Sequence, residues 1–209
     1  MAHSGQPDCQ CRPDNRRVTS LDWATLDTPV GPVSVGCGGA GVAAVRFGRP
    51  PADAAPADTA PADTAPAGPD PAGHADLAAA ARRQLAEYFC GQRQAFDLPL
   101  DWSGFAPAQR QVLGRLYDDV GWGQTVTYGN LAGLAGIRAA QDVIPARAVG
   151  QIMGSNPIPV IVPCHRVVAS DGIGGYSGGA GPEVKRWLLI LEGSLPPTLD
   201  WTPASAPPG

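Results

Sequence analysis

The chain has 209 residues, 44% of them hydrophobic, and a formal net charge of −4. That length allows one large domain or two small ones, and that apolar content supports a packed core. The mild acidic balance excludes attraction of the whole protein to nucleic acid and leaves such a partner only a local basic face.

Residues 1–20 read as a polar, disordered tail. They hold no apolar stretch and so no secretory signal, and no run in the chain approaches the length of a membrane span. The five cysteines are an odd count; without a secretory signal they fit a reduced, cytoplasmic protein with no membrane partner. Cys9 and Cys11 lie in the tail near His3, but their spacing matches no common zinc pattern, and no metal is expected. Cys37 and Cys90 read as packing residues.

Residues 21–100 read as a small α+β unit interrupted by a linker over 51–73. Val33-Ser34-Val35 and the run from Val42 to Phe47, with glycines between, predict a hairpin. From Pro51 to Asp70 the chain repeats a Pro-Ala-Asp pattern every five residues. Proline at that spacing blocks helix and sheet, and nothing in the tract can bury a core. After it, Asp76 can cap a helix reaching Phe89, with Leu77, Ala81, Leu85 and Phe89 on one face. This unit carries no catalytic constellation.

Residues 101–193 read as a second, mainly helical unit. A helix over 108–120 turns Val112, Leu113 and Leu116 inward. Thr127 caps a short helix through Leu134. Pro145 opens another to Met153, since proline is tolerated in a first turn. A last helix containing Arg186–Glu192 ends at Gly193, a natural C-cap. From Val143 to Ser170 there is no acidic residue, while Arg147, His165 and Arg166 lie there, so this stretch predicts a basic face. Residues 194–209 are proline-rich and read as a flexible tail.

Chemistry concentrates in Ile158-Pro159-Val160-Ile161-Val162-Pro163-Cys164-His165-Arg166-Val167-Val168. The β-branched run predicts a buried strand that Pro163 ends, presenting Cys164 at a turn. A turn that opened a helix would surround the sulfur with free N–H groups and favour the thiolate. His165 is the nearest group able to take the proton. The competing account is a cysteine that merely fills the core.

Asn156-Pro157, Pro163-Cys164-His165-Arg166-Val167-Val168, Gly175-Tyr176-Ser177-Gly178-Gly179, Lys185-Arg186-Trp187-Leu188-Leu189 and Glu192-Gly193 follow one another in the order seen around the active site of O6-alkylguanine-DNA alkyltransferases (methylated-DNA–protein-cysteine methyltransferases). The chain resembles that family. Gly123-Gln124-Thr125-Val126-Thr127-Tyr128 and Ala146-Arg147-Ala148-Val149-Gly150 are similar to its DNA-binding helix-turn-helix. Thr28-Pro29-Val30-Gly31-Pro32 and Tyr88-Phe89-Cys90-Gly91 resemble its amino-terminal domain.

The resemblance implies an α+β fold: a small N-terminal α/β domain of ribonuclease-H-like type and a mainly helical C-terminal domain with a helix-turn-helix. It implies stoichiometric transfer of an alkyl group from O6-alkylguanine, and from O4-alkylthymine, in double-stranded DNA to Cys164, by a monomer needing no cofactor. Cys164 would be the nucleophile and His165 its base through a water, with Glu192 orienting the histidine. Tyr128 would protonate the leaving base, and Asn156 would tie the helix-turn-helix to the active-site segment. Arg147 would fill the gap left by a flipped base. Ala146, Ala148 and Gly150 would let their helix approach the minor groove. Met153, Val167, Tyr176 and Ser177 would form the base pocket. The chain departs from the family pattern in a longer turn over 137–145 and an insertion over 180–184. Two other readings are a non-catalytic DNA-lesion binder or regulator and a cysteine hydrolase; a hydrolase would turn over, whereas a thioether product offers water no carbonyl to attack.

Overall fold

The computed structural model describes residues 21–52, 73–139 and 144–197. The expectations for the 1–20 tail, for Cys9 and Cys11, for most of the Pro51–Asp70 tract, for part of the 137–145 turn and for residues from 198 onward lie outside the described residues.

The N-terminal half is an antiparallel sheet in the order β1 (Asp22–Leu26), β2 (Val33–Gly38), β3 (Gly41–Phe47). The predicted hairpin is β2–β3, with Val35 opposite Val45 and Gly38 opposite Gly41. Strand β1 carries no sequence signal, because its burial does not alternate and its one large anchor is Trp23. Helix α1 (His74–Phe89) lies across the sheet. It starts earlier than the sequence suggests: Gly73 takes the N-cap position, with φ 69°, and Asp76 sits in the first turn, where its charge still favours the helix dipole. Cys37 is buried as expected; Cys90 is not a packing residue, because it follows α1 as its C-cap and is exposed.

The chain then pairs with β3 again. Val42 N–H donates to the Pro99 carbonyl at 2.8 Å and Asp101 N–H to the Val42 carbonyl at 2.9 Å. Gly41 is required here: a Cβ would come within 2.4 Å of the Pro99 carbonyl oxygen, and φ is 137°.

The C-terminal half holds α2 (Pro107–Asp119), α3 (Tyr128–Leu134), α4 (Pro145–Gly154) and α5 (Pro182–Leu191). A two-residue strand, β4 (Val126–Thr127), pairs in parallel with β5 (Val167–Val168) and brings the start of α3 beside the cysteine segment. Thr127 caps α3 as predicted, accepting from Asn130 N–H at 3.1 Å. Helix α3 packs on α4, and α2 packs on both. One continuous core runs from Val35 and Leu85 to Leu116, Val149 and Leu188, so the two halves share their buried surface.

Residues 158–162 are buried but are not a strand. Three prolines, at 157, 159 and 163, remove ladder donors. The segment instead folds back on itself: Val162 N–H reaches the Ile158 carbonyl at 2.9 Å, and Val160 adopts φ 73°.

Candidate active site

Asn156, just past α4, fixes this compact turn. Its side-chain amide donates to the Val162 carbonyl at 2.9 Å and its carbonyl oxygen accepts from Ile158 N–H at 3.1 Å. The turn delivers Cys164 to a single 3-10 turn, Cys164–Arg166. That is too short to create an array of free amides, and Cys164 N–H is itself bonded to the Val162 carbonyl at 2.8 Å. Cys164 is 5% exposed, and burial raises its pKa despite opposing help from Asn156, Tyr176 and Lys185. The turn is therefore not the thiolate-favouring one expected: it is a single 3-10 turn, and burial pushes the thiol pKa up rather than down.

His165 is fully buried and faces the core. Its Nε2 lies 2.9 Å from Glu192 Oε1, so Nε2–H donates to the carboxylate and Nδ1 keeps its lone pair. Nδ1 is buried and makes no hydrogen bond to the protein among the described residues. Burial, the largest influence, lowers the His165 pKa, and Arg166 and Lys185 lower it further against the pull of Glu192.

Glu192 caps the end of α5 and is buried. Arg166 grips it with two bonds, Nε to Oε2 at 2.8 Å and Nη2 to Oε1 at 2.9 Å, and spends Nη1 on the Val120 carbonyl. Burial opposes the charge, yet the bonds from His165 and Arg166 win and hold the carboxyl at about 2. His165 and Arg166 thus do not contribute to a basic surface; their burial overturns that part of the sequence expectation. Arg147, on α4, is exposed.

The sulfur opens into a cavity of about 220 Å³ lined by Tyr128, Gly150, Met153, Cys164, Tyr176 and Ser177, among others. Tyr128 begins α3 and lies over Gly150 of α4, where a Cβ would stand 4.0 Å from its ring. Burial, then the nearby Cys164, raises its pKa, so the phenol stays protonated and able to donate. The Tyr176 hydroxyl is buried without a hydrogen-bond partner among the described residues, and burial, then the nearby Cys164, pushes its pKa well above the ordinary phenol value. Ser177 donates to the Gly154 carbonyl at 3.3 Å. Ala146 and Ala148 share α4 with Arg147 and are half-buried. Val167 does not line the cavity; its carbonyl accepts from Lys185 Nζ at 2.6 Å.

A wider opening of about 310 Å³ runs from the same sulfur toward the N-terminal half, past Pro159, Gly178 and Phe47. Phe47 of β3 meets Tyr176 edge-on, with ring centroids 6.3 Å apart.

Arg166, Lys185 and Tyr88 are the members that residue-by-residue sequence reasoning did not assign. Lys185 is buried, its Nζ bonded to the carbonyls of Val167 and Gly175, and its pKa falls to about 8 through burial. The only signal in sequence for Arg166 and Lys185 was a charge within or beside apolar runs.

Residues 107–194 match the family model described as 6-O-methylguanine DNA methyltransferase, DNA binding domain. Residues 21–102 match the one described as 6-O-methylguanine DNA methyltransferase, ribonuclease-like domain. The methylated-DNA–protein-cysteine methyltransferase of Mus musculus is 58% identical over 85 residues, 40% of this chain and 37% of that protein. The match therefore spans well under half the length of that relative. The DNA base-flipping protein of Thermus thermophilus is 40% identical over 121 residues, 57% of this chain and 76% of that protein. The crystal structure of Mycobacterium tuberculosis OGT in complex with DNA has a TM-score of 0.65 at 33% identity, covering 83% of this chain and 93% of that one.

Proposed function

Because this chain belongs to the methylated-DNA–protein-cysteine methyltransferase family, whose two domain models it matches in order, we propose that it repairs DNA by moving an alkyl group from O6 of guanine onto Cys164. One observation carries the proposal: the cavity that receives the Cys164 sulfur is walled by Tyr128 of the helix-turn-helix, and the next residue, His165, keeps an unpartnered Nδ1 while Glu192 holds its other nitrogen.

The damaged base leaves the duplex stack to reach that cavity, and Arg147 on α4 fills the space it vacates. Ala146, Ala148 and Gly150 keep the rest of α4 low enough to lie against the minor groove. Behind the cavity, the buried His165 Nδ1 takes the thiol proton through a bridging water. The sulfur attacks the alkyl carbon in line. The S–C bond forms as the C–O6 bond breaks, the bonding pair stays with the base, and Tyr128 supplies the proton that leaves it neutral. Burial pushes the thiol pKa up, which supports proton removal by His165 in this scheme. Glu192 stabilises the imidazolium that forms. Met153, Tyr176 and Ser177 hold the base against the sulfur.

The thioether has no carbonyl for water to attack, so each molecule reacts once. O4-alkylthymine presents the same alkyl–oxygen bond and is a second substrate. The protein acts as a monomer, since one chain supplies every group in the scheme, with residues 21–100 as one domain and 101–193 as the other. No described helix is long and apolar enough to cross a membrane.

Intact-mass analysis after exposure to duplex DNA containing O6-methylguanine tests the reading. One added methyl per protein, mapped to the Cys164 peptide, is expected. Repeated turnover, or methyl on Cys37 or Cys90, would overturn it. Retained DNA binding with Cys164 unmodified would favour a lesion-binding protein instead.

A further inference from the structure

The hydrogen-bonded group around His165 and Glu192 has a member from the N-terminal half. Tyr88 lies near the end of α1, 104 residues before Glu192, and its hydroxyl donates to Glu192 Oε1 at 2.7 Å. The same hydroxyl stands 3.4 Å from His165 Nε2. The side chain is fully buried, and Phe89, Phe96 and Trp122 surround its ring, each at a centroid distance of 5.4 Å. Phenylalanine would satisfy that packing with no polar atom to place. The hydroxyl meets the one carboxylate oxygen that His165 and Arg166 Nη2 already share.

We propose that Tyr88 is a positioning residue for the alkyl-transfer site, its hydroxyl fixing Glu192 Oε1 so that His165 rests neutral with Nδ1 ready to accept a proton. The proposal rests on the roles assigned above to Cys164 and His165. Glu192 from the C-cap of α5, Lys185 from its first turn, Arg166 from the 3-10 turn and Tyr88 from α1 are the titratable and charged groups that act on the imidazole. Each donor that Oε1 accepts reduces the attraction left for a second proton on His165. Losing the Tyr88 hydroxyl leaves the carboxylate less neutralised. The imidazolium is then better held, and the neutral base appears only at higher pH. The N-terminal half thereby sets the protonation state of a base that belongs to the C-terminal half.

The test compares full-length wild type, Tyr88→Phe and Phe96→Leu. The imidazole of His165 is titrated by NMR, and the transfer rate from O6-methylguanine DNA is followed against pH. Tyr88→Phe should move the His165 midpoint up by roughly half a unit or more. The acid limb of its rate profile should move with it, and the rates should converge at high pH. Phe96→Leu should lower Tm without moving the midpoint. A fluorinated tyrosine at position 88, a stronger donor, should move the midpoint down, and it reports even if Tyr88→Phe does not fold. An unmoved midpoint in both Tyr88 variants, or equal movement in Phe96→Leu, would overturn the proposal. Absence of transfer in the wild type would count against the function proposed above, while the titration would still decide the role of Tyr88.

Discussion

Cys164 carries two opposing demands. In the proposed reaction it must be shielded enough to hold a base and an alkyl group in van der Waals contact, and it must lose a proton. Burial meets the first and raises the thiol pKa, so the proposed scheme gives the second to His165. Cys164→Ala should abolish alkyl transfer and leave duplex affinity within about threefold, well under 1.4 kcal/mol. Gel-shift and transfer assays on the same preparation check this, and a large loss of binding with the fold intact would make the cysteine region structural.

Glu192 is the group on which the folded state depends. Glu192→Gln leaves Arg166 buried with a neutral partner, which should cost about 3–5 kcal/mol by denaturant unfolding. The pH dependence has a definite sign. The folded-state pKa is about 2, below the ordinary value of 4.5, so this stabilisation is complete above about pH 4.5 and is lost as pH falls toward 2. The stability gap between wild type and Glu192→Gln should therefore close across that window. A gap that stays constant down to pH 2 would show that the carboxylate is not held as described.

At the scale of elements, α3 and α4 do different work around one cavity. Helix α3 brings Tyr128 to the rim, and α4 presents Arg147 outward while Gly150 and Met153 face the cavity. Arg147→Ala should slow repair of duplex DNA by roughly 10- to 1000-fold, about 1.4 kcal/mol per tenfold. Reaction with free O6-benzylguanine, where no base is flipped, should change little. Equal losses on both substrates would place Arg147 in folding or in the cavity. These helices were legible because each carries its own start signal, Thr127 for α3 and Pro145 for α4. The 158–162 segment was not, because a β-branched run between prolines has the composition of a strand. The Val162–Ile158 backbone bond, the side chain of Asn156 and the left-handed Val160 show that it closes on itself.

At the scale of the whole molecule, Cys164, His165 and the 175–179 loop stand out in motifs because each lies within a short stretch of chain. The Tyr88–Glu192 bond was not, because its partners are 104 residues apart and nothing in a local pattern reports a contact of that range. The Pro51–Asp70 tract lies within the N-terminal half, between β3 and α1 in sequence. Replacing it with a glycine-serine linker of equal length should leave the repair rate unchanged, because its composition cannot form a core. A loss of about tenfold or more, about 1.4 kcal/mol in barrier, would show that the tract touches DNA or the active half.

The four donor contacts on Glu192 come from α1 and the 3-10 turn, and the carboxylate itself from the end of α5. Ownership of this one carboxylate is thus divided between two stretches of chain that could otherwise evolve separately. A chimera that joined this C-terminal half to a foreign N-terminal half would inherit Cys164, the cavity and the proposed DNA-facing helix α4 intact. It would still lack the phenol, and its histidine would be tuned by whatever the newcomer placed there. Interchangeability of parts is what this architecture gives up, and a working hybrid would have to bring its own hydroxyl to the joint.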